Sequence, residues 1–119
     1  MHLPLLPSSA GWARERIATF LAEGGDTWDI DRAALVVSEL VANAVSHGAA
    51  PIRLHVELDS MLRIEVEDGD RDGLVDMRSV ETDAPDGRGL HIVDALADRW
   101  GARLEEHGKT VWAELQKRG

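Results

Sequence analysis

The sequence contains no cysteine among its 119 residues. Disulfide bonds, thiolate catalysis and zinc sites built on cysteine are therefore excluded. No apolar run approaches the roughly 20 residues that a membrane-spanning helix needs. The apolar start, residues 1–7, is too short for a secretory signal and lacks its basic flank. We expect a cytoplasmic protein.

Positive charge is also scarce, because 13 lysines and arginines face 22 aspartates and glutamates, giving a formal net charge of −9. Such a surface repels nucleic acid and anionic membranes, so we expect neither as a partner. It suits a basic protein partner, although the same charge is equally explained by solubility. With 44% hydrophobic residues the chain can build one packed core, and we predict a single domain over residues 1–119.

Helical periodicity predicts three helices. The first runs over residues 10–23, with Ser8 or Ser9 as its cap and Gly24-Gly25 at its end. The second runs over residues 30–47, with Asp29 as its cap and Gly48 as its stop. The third opens at Gly87-Arg88-Gly89 and continues to Trp100, before Gly101. The residues expected on the buried stripe of the first helix are Trp12, Ile17, Phe20 and Leu21.

Alternating apolar residues predict two pairs of strands. Residues 52–58 and 62–67 form a hairpin through Asp59-Ser60, and residues 102–106 and 109–116 form a second pair. Leu3, Leu5 and Leu6 are compatible with the end of an edge strand. Residues 70–86 show no period and are longer than an ordinary loop, which is typical of a lid. The order of elements predicts an α+β fold with a largely antiparallel sheet.

Polar residues form a stripe on the second predicted helix. Glu39, Asn43 and His47 follow one another at intervals of four, so they lie on nearly the same side. A carboxylate and an amide oxygen on one turn can hold a hydrated Mg²⁺ or a water. The spacing alone favours an ordinary solvent-facing stripe, and a zinc site is the least favoured alternative.

Three further motifs are weak when taken singly. Asp68-Gly69 ends a strand and can accept a hydrogen bond from a ring amine, but it is also a common turn. Gly87-Arg88-Gly89 opens a helix whose free N–H groups favour anions, as many helix-start turns do. Thr110 lies on the last strand, where a threonine needs no function.

Together and in this order, the motifs resemble those of the GHKL (Bergerat-fold) ATPases, and most closely their small anti-sigma-factor and serine-kinase branch. Glu39-x-x-x-Asn43 is similar to the N box, and residues 66–69 to the start of the G1 box. Residues 87–93 are similar to the G2 box, and residues 108–112 to the closing strand of the adenine pocket. The resemblance implies a two-layer sandwich in which about three helices cover a mixed, mainly antiparallel sheet.

The resemblance also implies roles for individual residues. Glu39 would be the catalytic base, and Asn43 would ligate the Mg²⁺ that bridges the phosphates of ATP. Asp68, with Gly69 beside it, would accept from the adenine amine. Thr110 would share a water with Asp68. The residues implied for the phosphate cradle are Gly87, Gly89 and the amides of Arg88 and Leu90.

The chain departs from the family in the G1 box, where Asp70 and Asp72 stand in place of two glycines. Carboxylates near a triphosphate repel it unless Mg²⁺ or arginines compensate. We therefore predict ATP binding that is weak, strongly Mg²⁺-dependent or assisted by a partner. The arginines available to compensate are Arg71, Arg78 and Arg88.

The resemblance leaves three functions open. The first is an ATP-dependent serine kinase that phosphorylates a small antagonist protein, sequesters a sigma factor, or does both. The second is a non-catalytic module in which ATP or ADP orders the lid and the domain regulates a partner by contact. The third is an interaction protein that keeps the fold without the nucleotide. The branch often dimerises, so a homodimer is possible.

Overall fold

The structure, a computed structural model, describes residues 1–24, 29–70, 88–106 and 108–117. Most of the predicted lid, from residue 71 onward, lies outside these ranges, as do Gly25, Gly87 and His107. The described ranges contain the helices α1 (Ser8–Glu23), α2 (Ile30–His47) and α3 (Arg88–Leu96). Their strands are β1 (His2–Leu3), β2 (Ile52–Leu58), β3 (Met61–Asp68), β4 (Arg99–Glu105) and β5 (Gly108–Gln116).

The strands form one five-stranded sheet in the order β1-β2-β3-β5-β4, and every neighbouring pair is antiparallel. The α+β prediction is confirmed. Along each strand, successive side chains point alternately into the core that the helices cover and to the outer face of the sheet. The β3–β5 register pairs Val66 with Val111 on the core face and Glu67 with Thr110 on the outer face.

Helix α1 packs along α2 through Ala13, Ile17 and Leu21, spaced four residues apart and 0–2% exposed. Trp12 and Phe20, predicted to be buried with them, are 43% and 42% exposed. Each precedes a buried residue by one position, which turns its side chain about 100° away from the core-facing stripe. The predicted burial of these two aromatic residues is therefore wrong.

The predicted serine cap of α1 is also wrong. The helix begins at Ser8, after Pro7, and no side chain caps it. The hydroxyl of Ser9 instead donates to the carbonyl oxygen of Pro4 over 2.7 Å, which fixes the approach from β1.

Helix α2 has the predicted bounds. The Asp29 side chain accepts a hydrogen bond from the amide of Arg32 over 3.1 Å, as expected of an N-cap. At the other end the amide of Gly48 donates to the carbonyl oxygen of Ala44 over 2.8 Å. Within the described residues, no helix combines the length and the apolar character needed to cross a membrane.

Helix α3 ends at Leu96, four residues before the predicted end at Trp100, which is a correction. The carbonyl oxygen of Leu96 accepts from Nε of Arg32 over 2.6 Å, so a residue of α2 caps the helix. The amide of Asp98 already donates to Glu114 of β5, and Trp100 pairs with Ala113 in the sheet. Strand β4 therefore begins at Arg99, where the helical spacing of the apolar residues alone would predict that the helix continues.

Candidate functional site

Two polar residues of the predicted N box lie on the same side of α2. Asn43 is only 8% exposed, because it borders the core residues Leu40 and Ala44, whereas Glu39 is half-buried one turn earlier. The amide group of Asn43 forms no hydrogen bond with any residue that the structure describes. The Asn43 amide atoms are not among the fully enclosed side-chain atoms that lack a partner. The residue is therefore largely enclosed by the protein, while its amide oxygen is available to a ligand.

The end of α2, the end of β3 and the start of β5 meet at Asp68. A Cβ on Gly48 would lie 2.6 Å from Cγ of Asp68 and 2.5 Å from the carbonyl oxygen of Ala44. A Cβ on Gly108 would overlap the carbonyl oxygen of Asp68. The amide of Gly69 donates to the carbonyl oxygen of Ala49 over 2.6 Å. Glycines thus allow three distant segments to close around one carboxylate.

Asp68 forms a buried ion pair with Lys109. The ammonium nitrogen of Lys109 lies 3.0 Å from Oδ1 and 2.9 Å from Oδ2 of Asp68, and the two side chains are 0% and 1% exposed. Lys109 also donates to the carbonyl oxygen of Asp70 over 3.2 Å, and Oδ1 of Asp68 accepts from the amide of Asp70 over 2.8 Å. The pair is fully enclosed and well hydrogen-bonded.

The sequence reasoning missed Lys109 and assigned its position to Thr110. In the register Asp68 pairs with Lys109, so it is Lys109 that shares the core face with Asp68. Thr110 lies on the outer face and donates to a carboxylate oxygen of Glu105 over 3.0 Å. The structure therefore does not bring Thr110 to Asp68. The alternation of Lys109 with Val111 and Ala113 was the available signal.

The first turn of α3 contains the described part of the predicted phosphate cradle. The amides of Arg88, Gly89 and Leu90 belong to this turn, where backbone N–H groups have no acceptor within the helix. The Leu90 side chain is 1% exposed and packs in the core, which anchors the turn. Gly87 lies outside the described residues.

The outer face of the sheet is a network of charges. Arg63 of β3 forms ion pairs with Glu65 over 2.7 Å and with Glu114 over 2.6 Å, and it stacks on the ring of Trp112. Burial works to raise the pKa of Glu65, but the hydrogen bond from Arg63 and the charges of Arg103 and Arg63 outweigh it. The pKa of Glu65 is therefore lowered from its ordinary value of 4.5.

A depression of about 570 Å³ opens at the end of the sheet that carries Asp68. Its lining includes Asp68, Gly69, Gly108 and Lys109 together with charged residues of the outer face. In the described residues, no three histidine, aspartate or glutamate side chains group closely enough to hold a metal ion by themselves. A metal here would need ligand atoms from a nucleotide as well. The outer-face residues among those lining the depression are Arg53, Glu67, Arg103 and Glu105.

The described residues fit the two halves of Mg-ATP differently. The oxygen of Asn43 is a hard ligand of the kind that Mg²⁺ prefers, and the Asn43 amide lacks a partner among the described residues, so the phosphate half fits. The base half does not fit Asp68 as it stands. Breaking a buried ion pair costs about 3–5 kcal/mol, whereas a hydrogen bond to a charged group returns about 1.5–3 kcal/mol. The ion pair between Lys109 and Asp68 therefore outweighs a hydrogen bond from the adenine amine to Asp68.

A family model for the histidine kinase-like ATPase domain matches residues 3–115. The chain belongs to the histidine kinase-like ATPase domain family. The GHKL resemblance is thereby confirmed, and domains of this family bind ATP, typically with Mg²⁺. None of the curated protein sequences compared with the chain matches it.

Solved structures show the same fold. The crystal structure of the RsbU and RsbW domains of Rv1364c from Mycobacterium tuberculosis is similar to the chain with 25% identity and a TM-score of 0.73, covering 100% of the chain. The histidine kinase domain of the Erythrobacter litoralis EL346 blue-light activated histidine kinase has 19% identity and a TM-score of 0.58, covering 97%. The chain spans 33% of the first of these proteins and 62% of the second.

Proposed function

We propose that the chain is a Mg-nucleotide-binding regulatory domain that phosphorylates a serine of a protein partner. The observation that carries the proposal is the position of Asn43, a residue 8% exposed whose amide has no hydrogen-bond partner among the described residues and which lies one turn from the half-buried Glu39. Membership of an ATP-binding family supports it.

Two side chains of α2 and three backbone amides of α3 have a defined task in this proposal. The Asn43 oxygen ligates Mg²⁺, which when bound neutralises charge on the phosphates. A Glu39 carboxylate oxygen accepts the proton of a serine hydroxyl or of a water. The amides of Arg88, Gly89 and Leu90, preceded by Gly87, hold phosphate oxygens at the start of α3.

The partner in this proposal is a sigma factor, an antagonist protein that presents the serine, or both. The similarity to a chain whose described domains include an RsbW domain supports a protein partner of this kind. The net charge of −9 favours a partner with a basic contact surface. A homodimer fits the resemblance and is tested by sedimentation or light scattering.

Nucleotide binding is tested by titration calorimetry with ATP and ADP, each with and without Mg²⁺. We expect binding that depends on Mg²⁺, and we expect Asn43→Ala to reduce the Mg-ATP affinity at least tenfold, which corresponds to about 1.4 kcal/mol. Ser46→Ala is the matched control, since Ser46 is exposed on the same helix. Wild-type affinity in Asn43→Ala would remove the metal role from Asn43.

Catalysis is tested with radiolabelled Mg-ATP and a candidate antagonist protein that presents a serine. Glu39→Gln should abolish the transfer of label to serine while nucleotide binding stays within about twofold, because the variant keeps its shape but cannot take a proton. Glu15→Gln, at an exposed position of α1, is the matched control. Labelling that survives in Glu39→Gln excludes Glu39 as the base.

A second candidate function is a non-catalytic module that binds nucleotide and regulates its partner by contact. The enclosed Asp68–Lys109 pair and the acidic Asp70 in the G1 box favour it, because both oppose tight binding of ATP. Nucleotide binding without any phosphate transfer or ADP release supports this alternative. The absence of all nucleotide binding supports instead an interaction protein that keeps only the fold.

A further inference from the structure

We infer that Lys109 takes the place of the adenine amine on Asp68, so that the site recognises the triphosphate of a nucleotide but does not select its base. The inference rests on the proposed function and names the class of ligand: Mg-nucleoside triphosphates without preference for adenine. Lys109 is the residue that determines base specificity in this inference.

The Asp68–Lys109 ion pair already occupies both oxygens of the Asp68 carboxylate. The Lys109 ammonium donates toward both carboxylate oxygens of Asp68, over 3.0 and 2.9 Å, on the core face of the sheet. Oδ1 of Asp68 has a second donor in the amide of Asp70. An amino group of a base would have to approach the same oxygens. It would meet donors that are already in place, one of which carries a full charge.

Neighbouring residues also enclose Asp68 tightly. The remaining side of the carboxylate faces Gly48, whose Cα lies so close that a single added carbon would stand 2.7 Å from Oδ2. With both side chains of the pair at most 1% exposed, a base reaches Asp68 only if Lys109 leaves. A displaced ammonium would then need a new partner inside the protein.

The proposed phosphate-binding groups lie on elements other than β3, which carries Asp68. Glu39 and Asn43 lie on α2, and the amides of the proposed phosphate cradle lie in the first turn of α3. Within the described residues, the groups recorded against the Asp68 carboxylate belong to Lys109, Asp70 and Gly48 and not to these residues. The triphosphate and its Mg²⁺ can therefore bind while the ion pair remains closed. Because ATP and GTP share this part, the two nucleotides should bind alike.

The experiment compares equilibrium binding of Mg-ATP, Mg-GTP and Mg-tripolyphosphate to the full chain by calorimetry. For the wild type we expect the ATP and GTP dissociation constants to agree within about threefold. In Lys109→Thr the carboxylate is released, and we expect a preference for ATP over GTP of at least tenfold. Lys117→Thr removes the chain's other lysine and should keep the wild-type ratio.

Lys109→Thr leaves Asp68 buried without its cation, so folding is checked by circular dichroism. If that variant does not fold, Asp68→Asn combined with Lys109→Thr replaces it, because the asparagine carbonyl is neutral and still accepts from the adenine amine. A preference for ATP over GTP is expected in this double variant too, but the ratio of the two dissociation constants should be smaller, about threefold to tenfold.

The outcomes separate this inference from the proposed function. A wild-type protein that prefers ATP to GTP tenfold or more overturns the inference and leaves the proposed function standing. ATP binding that appears only in the Lys109 variants overturns both, because it would show that the closed ion pair excludes the triphosphate as well as the base. If neither the wild type nor the variants bind any of the three ligands, both are overturned.

Discussion

Nε of Arg32, in the first turn of α2, donates a 2.6 Å hydrogen bond to the carbonyl oxygen of Leu96, the last residue of α3. The same guanidinium reaches Asp98 over 2.9 Å, and Asp98 also accepts from the amide of Gln116. One nearly buried side chain thus joins α2 to the end of α3 and to the β4–β5 ribbon. It holds the two helices that present the proposed phosphate-binding groups.

Replacing Arg32 should therefore destabilise the whole domain. Arg32→Ala removes two charge-assisted hydrogen bonds, and we expect the free energy of unfolding to fall by about 2–3 kcal/mol, allowing for the partial exposure of Asp98. Urea denaturation followed by circular dichroism measures this. Arg14→Ala, on the exposed side of α1, should change it by less than about 0.5 kcal/mol. Equal effects of the two substitutions would contradict a bracing role for Arg32.

The glycines around Asp68 should tolerate alanine very differently from a glycine on the surface. Gly108→Ala places its methyl group against the Asp68 carbonyl, and Gly48→Ala against the Ala44 carbonyl and the Asp68 carboxylate. Neither neighbour is a flexible chain end, so we expect losses of at least about 1–3 kcal/mol.

Gly11→Ala is the contrasting substitution. Its methyl group meets only a guanidinium nitrogen of Arg14 at 3.7 Å, within helix α1. We expect a gain of about 0.5–1 kcal/mol from helix propensity. Thermal unfolding of the three variants measures the order, and a Gly108→Ala protein as stable as Gly11→Ala would show that the strand ends are not closely packed.

The Asp68–Lys109 pair should show strong coupling in a double-mutant cycle. Lys109→Met leaves a buried carboxylate alone and should cost about 3–5 kcal/mol. Asp68→Asn with Lys109→Met should cost less than the sum of the two single changes, by about 1–3 kcal/mol. Unfolding in guanidinium chloride gives the four free energies. Additive single effects would mean that the two charges do not interact.

Acid should destabilise the domain partly through Glu65. Because the folded pKa of Glu65 is lowered from 4.5, the folded state holds fewer protons on this group than the unfolded state does. Its contribution is present above the ordinary pKa and is lost as the pH falls through the folded pKa. In Glu65→Gln, stability should fall less steeply with acid below about pH 4.5.

Urea midpoints measured from about pH 7 down to about pH 3 test this dependence. Arg63→Gln should produce a similar flattening, since Arg63 supplies the hydrogen bond that lowers the pKa. A slope that is unchanged in both variants would remove Glu65 as a source of the acid sensitivity.

The elements that follow local rules could be predicted from the sequence. Helix α2 has its cap at Asp29 and an unbroken apolar face, and the β2–β3 hairpin alternates strictly, so both were predicted nearly to the residue. The end of α3 could not be found in this way. It depends on Arg32, which lies 64 positions away along the chain.

The candidate site shows the same division. Glu39, Asn43 and Asp68 lie on the elements assigned to them, because those elements have clear periods. The partner of Asp68 depends on the β3–β5 register, which joins segments 41 residues apart. The motif match drew attention to Thr110, whereas the side-chain alternation of β5 selects Lys109.

The enclosure of Lys109 also makes it a chemical reporter. The chain has two lysines, of which Lys117 is exposed and Lys109 is 0% exposed in its side chain. An acylating reagent should therefore modify Lys117 quickly and reach Lys109 only when the strand ends part. The slow rate of that last acylation, read by mass spectrometry, would measure how often this end of the sheet opens, and any ligand or partner that holds it shut would slow the reaction further.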